Sequence, residues 1–202
     1  MTHLTPVNPP IGCTQFINTQ QQVKLVLKEK VMSITGDAFD IILDPQNGQK
    51  PHPIFKVDPS FITSRKSFYD MQGNHLFDLK KEHFHLVHTY FKAVDPKGNK
   101  FFEVKSGFQL VGSKATATFT SSHGKEETLV VKGNWRDSTA EIIDESRGVV
   151  VAQIHRKSMF QSFSTFAFDQ NTYGLTVAPG VDFALMAALC VAFDELNNEA
   201  QS

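Results

Sequence analysis

The chain has 202 residues, of which 41% are hydrophobic and 20% charged, and its formal net charge is -1. That length suits a single domain with a substantial core, and the near-zero charge argues against broad electrostatic binding of nucleic acid, which needs a basic excess. Phe dominates the aromatics, with 18 residues against one Trp and three Tyr, and because its ring carries no polar atom it suits a dry interior.

Residues 1–22 are predicted to form a flexible N-terminal arm ahead of one barrel domain over residues 23–202. The arm is biased toward Pro and Gln, as in Asn8-Pro9-Pro10 and Gln20-Gln21-Gln22. This composition is typical of irregular segments, because Pro lacks the N–H group that helices and sheets require.

After the arm, a turn signature recurs six times at intervals of 23 to 26 residues. In each turn an Asp or Ser precedes a Gly by three to five positions, starting at positions 44, 70, 95, 121, 144 and 169. The Asp or Ser side chain can bond its own backbone two residues on, and the Gly supplies the positive φ that closes the turn. Runs of β-branched and aromatic residues flank these turns, so six hairpins predict about twelve strands.

The first turn is followed by Lys50-Pro51-His52-Pro53, which is expected to project as a spur, because Pro cannot pair in a strand interior. A meander of twelve strands leaves two edges unless it closes on itself. We therefore predict a mainly β fold, a closed antiparallel barrel. A barrel of this size is too wide for its own strand side chains to fill, so another element must occupy its centre.

The last segment is predicted to be that element. Residues 183–193 are apolar with no polar face, and a helix that is apolar on all sides is buried on all sides. Asp182 precedes the run as a candidate N-cap, which places the core helix at about residues 182–197. A membrane span is the alternative, but it needs about 20 apolar residues, so a transmembrane span is not expected.

The expected compartment is the cytoplasm, the periphery of a membrane or the nucleus. The two cysteines, Cys13 and Cys190, lie in the predicted arm and the apolar run, so a structural disulfide is not expected. Residues 1–10 lack the basic and apolar regions of a secretory signal, and no Asn-x-Ser/Thr acceptor occurs. These features favour a reducing environment.

Several segments in the last third of the chain resemble the LURP-one-related family, which groups with the Tubby C-terminal-domain-like and phospholipid-scramblase-like proteins. The resemblance spans roughly residues 24–198 and implies a twelve-stranded barrel around a central C-terminal helix. The segments that carry it are Val131-Lys132-Gly133-Asn134-Trp135, residues 151–157, Tyr173-Gly174-Leu175-Thr176-Val177, residues 179–184 and residues 189–197.

The resemblance implies a non-enzymatic signalling or stress-response module that associates with a membrane surface or phosphoinositide headgroups. The alternative is a protein-interaction scaffold with no lipid role and an unknown protein partner. The chain has no G-x-S-x-G, Gly-rich phosphate loop, H-E-x-x-H or C-x-x-C motif, so neither an enzyme nor a cofactor is expected.

Three basic pairs are the candidate anion or lipid-headgroup residues. They are Arg65-Lys66, Lys80-Lys81 and Arg156-Lys157. Such groups hold phosphate when they converge on one surface, with Arg forking onto its oxygens. For any single pair, a solvated strand end is the competing interpretation.

His83, His85 and His88, with His75 nearby, form the densest histidine group. At two-residue spacing on a strand, His83 and His85 share a face and could be two metal ligands. Complete sites need three or four ligands, so a solvated strand face is favoured and no metal site is predicted.

Overall fold

The computed structural model of the chain describes residues 3–30, 38–45, 49–60, 63–84, 88–107, 113–133, 139–156 and 172–199. In these ranges, strands succeed one another up to a single terminal helix. In chain order the elements are β1 (Ile17–Asn18), β2 (Val23–Lys30), β3 (Ala38–Asp44), β4 (His52–Pro59), β5 (Arg65–Asp70), β6 (His75–Phe84), β7 (His88–Val94), β8 (Lys100–Gly107), β9 (Ser113–Thr120), β10 (Glu126–Gly133), β11 (Thr139–Asp144), β12 (Val149–Arg156), β13 (Thr172–Val177), β14 (Val181–Asp182) and α1 (Phe183–Glu199).

The strands β2 to β13 form one closed barrel in which each strand pairs antiparallel with the next. The ring closes where β13 pairs with β2, with Leu175 opposite Leu25. Residues alternate between the two faces of a strand, and along β11 Ala140 and Ile142 are buried while their neighbours are half-buried. The predicted closed barrel of twelve antiparallel strands is confirmed.

The turns that the sequence identified gather at one end of the barrel, which we call the turn rim. Four of them are closed by a backbone hydrogen bond from a Gly of positive φ, at Gly73, Gly98, Gly124 and Gly148. Part of the first turn, residues 46–48, lies outside the described residues. The sixth predicted turn differs from the structure: Gly174 lies inside β13 and pairs with Val26, because the local turn signature is outweighed there by strand pairing.

The predicted spur is also different in the structure. β4 begins at His52, and Pro53 is the Cα partner of Ile42. The register of β3 against β4 shifts between Ile41 and Ile42. Pro cannot donate to a ladder, and a bulge is one of the few places in a sheet that accepts it.

The helix α1 fills the barrel, as the apolar run predicted. Every residue from Ala184 to Phe193 is at most 2% exposed. Asp182 caps the helix, since its Oδ1 accepts from the backbone N of Leu185 at 3.0 Å. The predicted N-cap is therefore confirmed, and the helix runs to Glu199.

The N-terminal segment, predicted to be a flexible arm, instead packs across the turn rim. Leu4, Val7 and Ile11 are buried in the core cluster. The backbone N of Val7 donates to Pro179 O at 2.8 Å, and that of Ile11 donates to Gly180 O at 2.8 Å. The Pro and Gln content correctly indicates irregular backbone, but the apolar residues between them cover the end of the barrel.

Asp182 joins this segment to the helix. Besides capping α1, its carboxylate accepts from the backbone N of Thr14 at 2.8 Å and of Cys13 at 3.2 Å. Burial raises the pKa of Asp182, and the bonds from Leu185 and Thr14 oppose that shift. One buried side chain thus serves both the start of the helix and the covering segment.

The first prediction concerns the core helix. Leu189→Asp places an unpaired carboxylate at a position with 0% exposure, and we expect a loss of several kcal/mol that prevents folding. Met71→Asp adds the same charge at a side chain that is 50% exposed and should leave the thermal melt nearly unchanged. A cooperative melt of Leu189→Asp at the wild-type temperature would contradict the core role of α1.

The second prediction concerns the packing of the N-terminal segment. At Gly180, with φ +83°, an added Cβ would lie 2.2 Å from Val7 O, whereas at Gly73, with φ +84°, it meets nothing within 4 Å. Both Ala variants adopt a left-handed conformation, at about 1–2 kcal/mol. Only Gly180→Ala adds a steric clash of about 1–3 kcal/mol.

Chemical unfolding should therefore show a larger loss for Gly180→Ala than for Gly73→Ala. Limited proteolysis should also cut residues 3–22 faster in Gly180→Ala, because the clash displaces the segment. Equal losses of stability in the two variants would mean that the close approach of Gly180 to Val7 O does not contribute to stability.

Candidate functional site

Strand alternation separates the members of two predicted basic pairs. Arg65 is exposed and Lys66 is buried, on consecutive positions of β5. On β6, Lys81 shares a face with the buried Leu79, and Lys80 points to the opposite face. Only one residue of each pair therefore belongs to the outer surface of the barrel.

Arg65 and Lys80 are brought together on that outer surface. They are Cα partners across β5 and β6, and Lys80 is in turn the Cα partner of Lys92 on β7. Neighbouring strands lie about 4.8 Å apart, so three cations stand in one row across roughly 10 Å of wall. The row continues to Glu103 on β8.

We call the outer face of β5 to β8 the basic wall. It carries five cations and three carboxylates, namely Arg65, Lys80, Lys92, Lys100 and Lys105 with Asp78, Glu82 and Glu103. The wall thus has a local positive excess on a chain whose formal net charge is -1.

The carboxylates of the basic wall are already engaged by neighbouring donors. Asp78 accepts from Ser67 Oγ at 2.7 Å and from His75 Nε2 at 2.9 Å, and Arg65 Nη1 lies 3.5 Å away. Glu82 accepts from Lys92 and from Tyr90 Oη, and these hydrogen bonds lower its pKa.

Glu103 is held in the same way at the far side of the wall. The ammonium groups of Lys105 and Lys100 bond its two carboxylate oxygens and lower its pKa. The side chain of Lys105 is 66% exposed, so water screens this pair. The wall therefore presents ionised, mutually held groups to solvent.

Lys66 faces the barrel interior near the end of α1. Its Nζ lies 2.8 Å from Glu195 Oε1 and 5.3 Å from the centre of the Phe39 ring. Nearby on the helix, Asp194 Oδ1 accepts from Tyr173 Oη at 2.6 Å. These contacts stabilise the carboxylates of Asp194 and Glu195 in the C-terminal part of α1, where the helix dipole disfavours negative charge.

Arg156 lies far from the other candidates. Its strand, β12, is six positions around the twelve-strand ring from β6, which is the opposite side of the barrel. Its Cα partner is Tyr173, whereas Lys157 lies outside the described residues. The structure therefore does not bring Arg156 to the basic wall.

The histidine group is only partly described. His75 bonds Asp78, as given above, while His85 and the side chains of His83 and His88 lie outside the described residues. Within the described part of the chain, no group of three or more His, Cys, Asp or Glu side chains could hold a metal ion.

Lys92 was not identified from the sequence as a member of the site. Its only local signal is an aromatic-basic alternation with Tyr90, which many solvated strands share. The pairing that sets Lys92 beside Lys80 depends on the register of β6 against β7. Both cysteine thiols have raised pKa values through burial, that of Cys13 to about 12, as apolar surroundings cause.

The third prediction concerns the inward-facing Lys66. Lys66→Met should lower the free energy of unfolding by about 2 kcal/mol, because it leaves the partly buried Glu195 without its cation. Arg65→Met, one position along the same strand but exposed, should change stability by less than about 0.5 kcal/mol. Adding Glu195→Gln to Lys66→Met should restore part of the loss. Urea denaturation of the wild type, of Lys66→Met, of Glu195→Gln and of the double variant gives the coupling energy. Full stability of Lys66→Met would contradict a structural role for the ion pair.

In the described residues, α1 does not reach the length and hydropathy that a membrane-crossing helix requires.

The chain is similar to known proteins of one family. The family model described as LURP-one-related matches residues 23–194. "Protein LURP-one-related 10" of Arabidopsis thaliana is 26% identical over 186 residues, covering 88% of this chain and 91% of the relative. "Protein LURP-one-related 15" of Arabidopsis thaliana is 24% identical over 184 residues, covering 88% of this chain and 81% of the relative.

An X-ray structure of an Arabidopsis thaliana protein is also similar, with a TM-score of 0.41 and 17% identity over 91% of this chain and 95% of that chain. The family match covers every strand of the barrel, from β2 to β13, and the first twelve of the seventeen residues of α1. The chain therefore belongs to the LURP-one-related family.

Proposed function

We propose that this protein is a non-enzymatic signalling or stress-response module that associates with anionic, phosphoinositide-bearing membrane surfaces through the basic wall. The observation that carries the proposal is the row of Arg65, Lys80 and Lys92 on three neighbouring strands. A phosphorylated headgroup is recognised by cations that converge on one surface.

Pre-organisation supports the proposal. Strands of a closed barrel hold their side chains at fixed separations, so a ligand spends little free energy on ordering the site. Lys92 is further held by its ion pair with Glu82, which Tyr90 also bonds. Arg65 is 43% exposed and rests near Asp78, so its guanidinium can fork onto phosphate oxygens.

The binding free energy expected from these cations fits reversible association with a membrane. Near an anionic leaflet each Lys or Arg contributes about 1 kcal/mol, within a Debye length of about 8–10 Å. The cations of the wall are partly offset by Asp78, Glu82 and Glu103, so weak binding that salt reverses is expected. Burial raises the pKa of both cysteine thiols, which disfavours either of them as a thiolate nucleophile.

The fourth prediction tests the wall by cosedimentation of the full chain with phosphatidylcholine vesicles, with and without phosphatidylinositol phosphate. Arg65→Gln with Lys80→Gln should weaken binding to the anionic vesicles by about 2 kcal/mol, roughly thirtyfold, if each cation contributes fully. Both side chains lie on the outer face, so the thermal melt should stay near that of the wild type.

A matched control removes the same charge elsewhere. Lys28→Gln with Lys132→Gln changes two exposed lysines on β2 and β10, outside the basic wall, and should have a clearly smaller effect. Added salt should weaken the wild type. If the wild type ignores the anionic vesicles even at low salt, or if both double variants lose equal affinity, the wall is not a headgroup site and a protein-interaction scaffold becomes the better hypothesis.

A further inference from the structure

A groove of about 340 Å³ opens at the turn rim, between the N-terminal segment and the barrel. Its volume falls at the lower end of the range of about 300–1,000 Å³ that is typical of small-molecule sites. The residues that matter to its chemistry are Cys13, Phe16, Leu76, Phe77, Asp95 and Phe101. The groove therefore shares no lining residue with the charged residues of the basic wall.

The aromatic lining is fixed by packing. Phe77 is 2% exposed, stacks on Phe68 at 4.4 Å between ring centres and meets Phe101 edge-on at 5.6 Å. Phe16, which also lines the groove, meets Phe55 edge-on at 4.9 Å between ring centres. A ligand ring can therefore enter a preformed aromatic site with little ordering of the protein.

The backbone that carries Phe16 is held as firmly as its ring. Its N donates to Thr14 Oγ1 at 3.2 Å, and its O accepts from the N of Phe183 at 2.9 Å. Thr14 is in turn bonded to Asp182. The side of the groove that Phe16 forms is thus connected by hydrogen bonds to the start of the core helix.

Asp95 gives the groove its charge. Its Oδ1 accepts from the backbone N of Lys97 at 2.9 Å and of Asn99 at 2.8 Å, and its Oδ2 accepts from Asn99 Nδ2 at 2.9 Å. The bond from the Asn99 side chain lowers the pKa of Asp95, so the carboxylate is ionised at neutral pH. The thiol of Cys13 remains neutral there.

The cations nearest in sequence do not line the groove. Lys97 contributes only its backbone N–H to Asp95, and the ammonium of Lys100 lies 3.0 Å from Glu103 Oε2. The groove is therefore lined by three aromatic rings, one aliphatic side chain and one carboxylate, together with the uncharged side chains of Cys13, Thr14 and Gln15. We propose that this groove binds a small aromatic molecule that carries a protonated amine.

Each part of such a ligand has a partner. The ring packs against Phe16, Phe77 and Phe101 in edge-to-face or offset geometry. The ammonium group is attracted by the Asp95 carboxylate and by the faces of the same rings. A carboxylate on the same ring would meet repulsion from Asp95, so the site should select by charge as well as by shape.

The test is an NMR titration of the full chain with three matched probes, namely phenethylamine, phenethyl alcohol and phenylacetic acid. Saturable shifts of resonances from the groove are expected with phenethylamine, several-fold weaker binding with the alcohol, and the weakest binding with the acid. Absence of saturable shifts with the amine, or an acid that binds as well as the amine, overturns the proposal.

Asp95 has a matched control in the preceding hairpin. Asp70 accepts from the backbone N of Gln72 and Asn74 and from Asn74 Nδ2 in the same pattern, but it does not line the groove. Asp95→Asn should reduce amine binding to the level of the alcohol and leave alcohol binding unchanged. Asp70→Asn perturbs an equivalent turn and should change neither, so an equal loss in both variants would overturn the role of Asp95.

A second pair of variants tests the location. Leu76→Trp should fill the groove and abolish amine binding, while Met71→Trp, at an exposed position of the adjacent turn, should not. Thermal melting verifies that both variants fold. If Leu76→Trp leaves amine binding intact, the amine site lies elsewhere. If the wild type does not bind the amine and Leu76→Trp abolishes vesicle binding, the groove binds a lipid and the small-molecule assignment is wrong.

Discussion

Twelve strands closed into a ring enclose more space than their own inward side chains can fill, and the rest of the structure depends on how that space is occupied. Interiors of proteins are close-packed, and an unfilled centre would remove contacts from every strand. The helix α1 occupies it with small and large apolar residues, all at most 2% exposed from Ala184 to Phe193. The barrel and its helix are therefore one cooperative unit, since neither buries its apolar surface alone.

A helix enclosed in this way has polar ends that must be satisfied inside the protein. At the start, Asp182 accepts from Leu185 and, across the rim, from Cys13 and Thr14. At the end, Asp194 is bonded by Tyr173 and Glu195 is paired with Lys66. The two ends explain why the N-terminal segment packs against the barrel and why one lysine of a basic pair points inward.

The two proposed binding features arise from different parts of this arrangement. The basic wall uses the outward positions of β5 to β8, which the core does not need, so charges there are tolerated without loss of packing. The groove uses the place where the N-terminal segment crosses the turn rim, and its rings belong to the same Phe-rich packing that holds the segment. A ligand in the groove and a surface on the wall would contact different side chains.

The sequence by itself indicated the barrel and its core helix, because turn chemistry and the apolar run of residues 183–193 are local signals. Five of the six predicted turns lie in hairpins of the barrel, and β2 and β13 complete the twelve strands. It also determined the Asp182 cap, which acts on a backbone N three residues away. Local signals failed where tertiary contacts override them. Gly174 carries a turn signature yet pairs within β13, Pro53 is absorbed by a bulge, and residues 3–22 pack because Ile11 and Val7 meet the segment that leads into α1.

The candidate site shows the same division. Basic dipeptides could be found in the sequence, but in a strand two consecutive side chains point to opposite faces, so Arg65 and Lys66 have different roles. Whether Lys80 meets Arg65 or Arg156 depends on which strands are neighbours and in what register, and pairing between strands is a long-range property. The composition therefore supplied the charges and rings, while only the tertiary structure decided that Arg65, Lys80 and Lys92 form one row and that Phe16 and Phe77 line one groove.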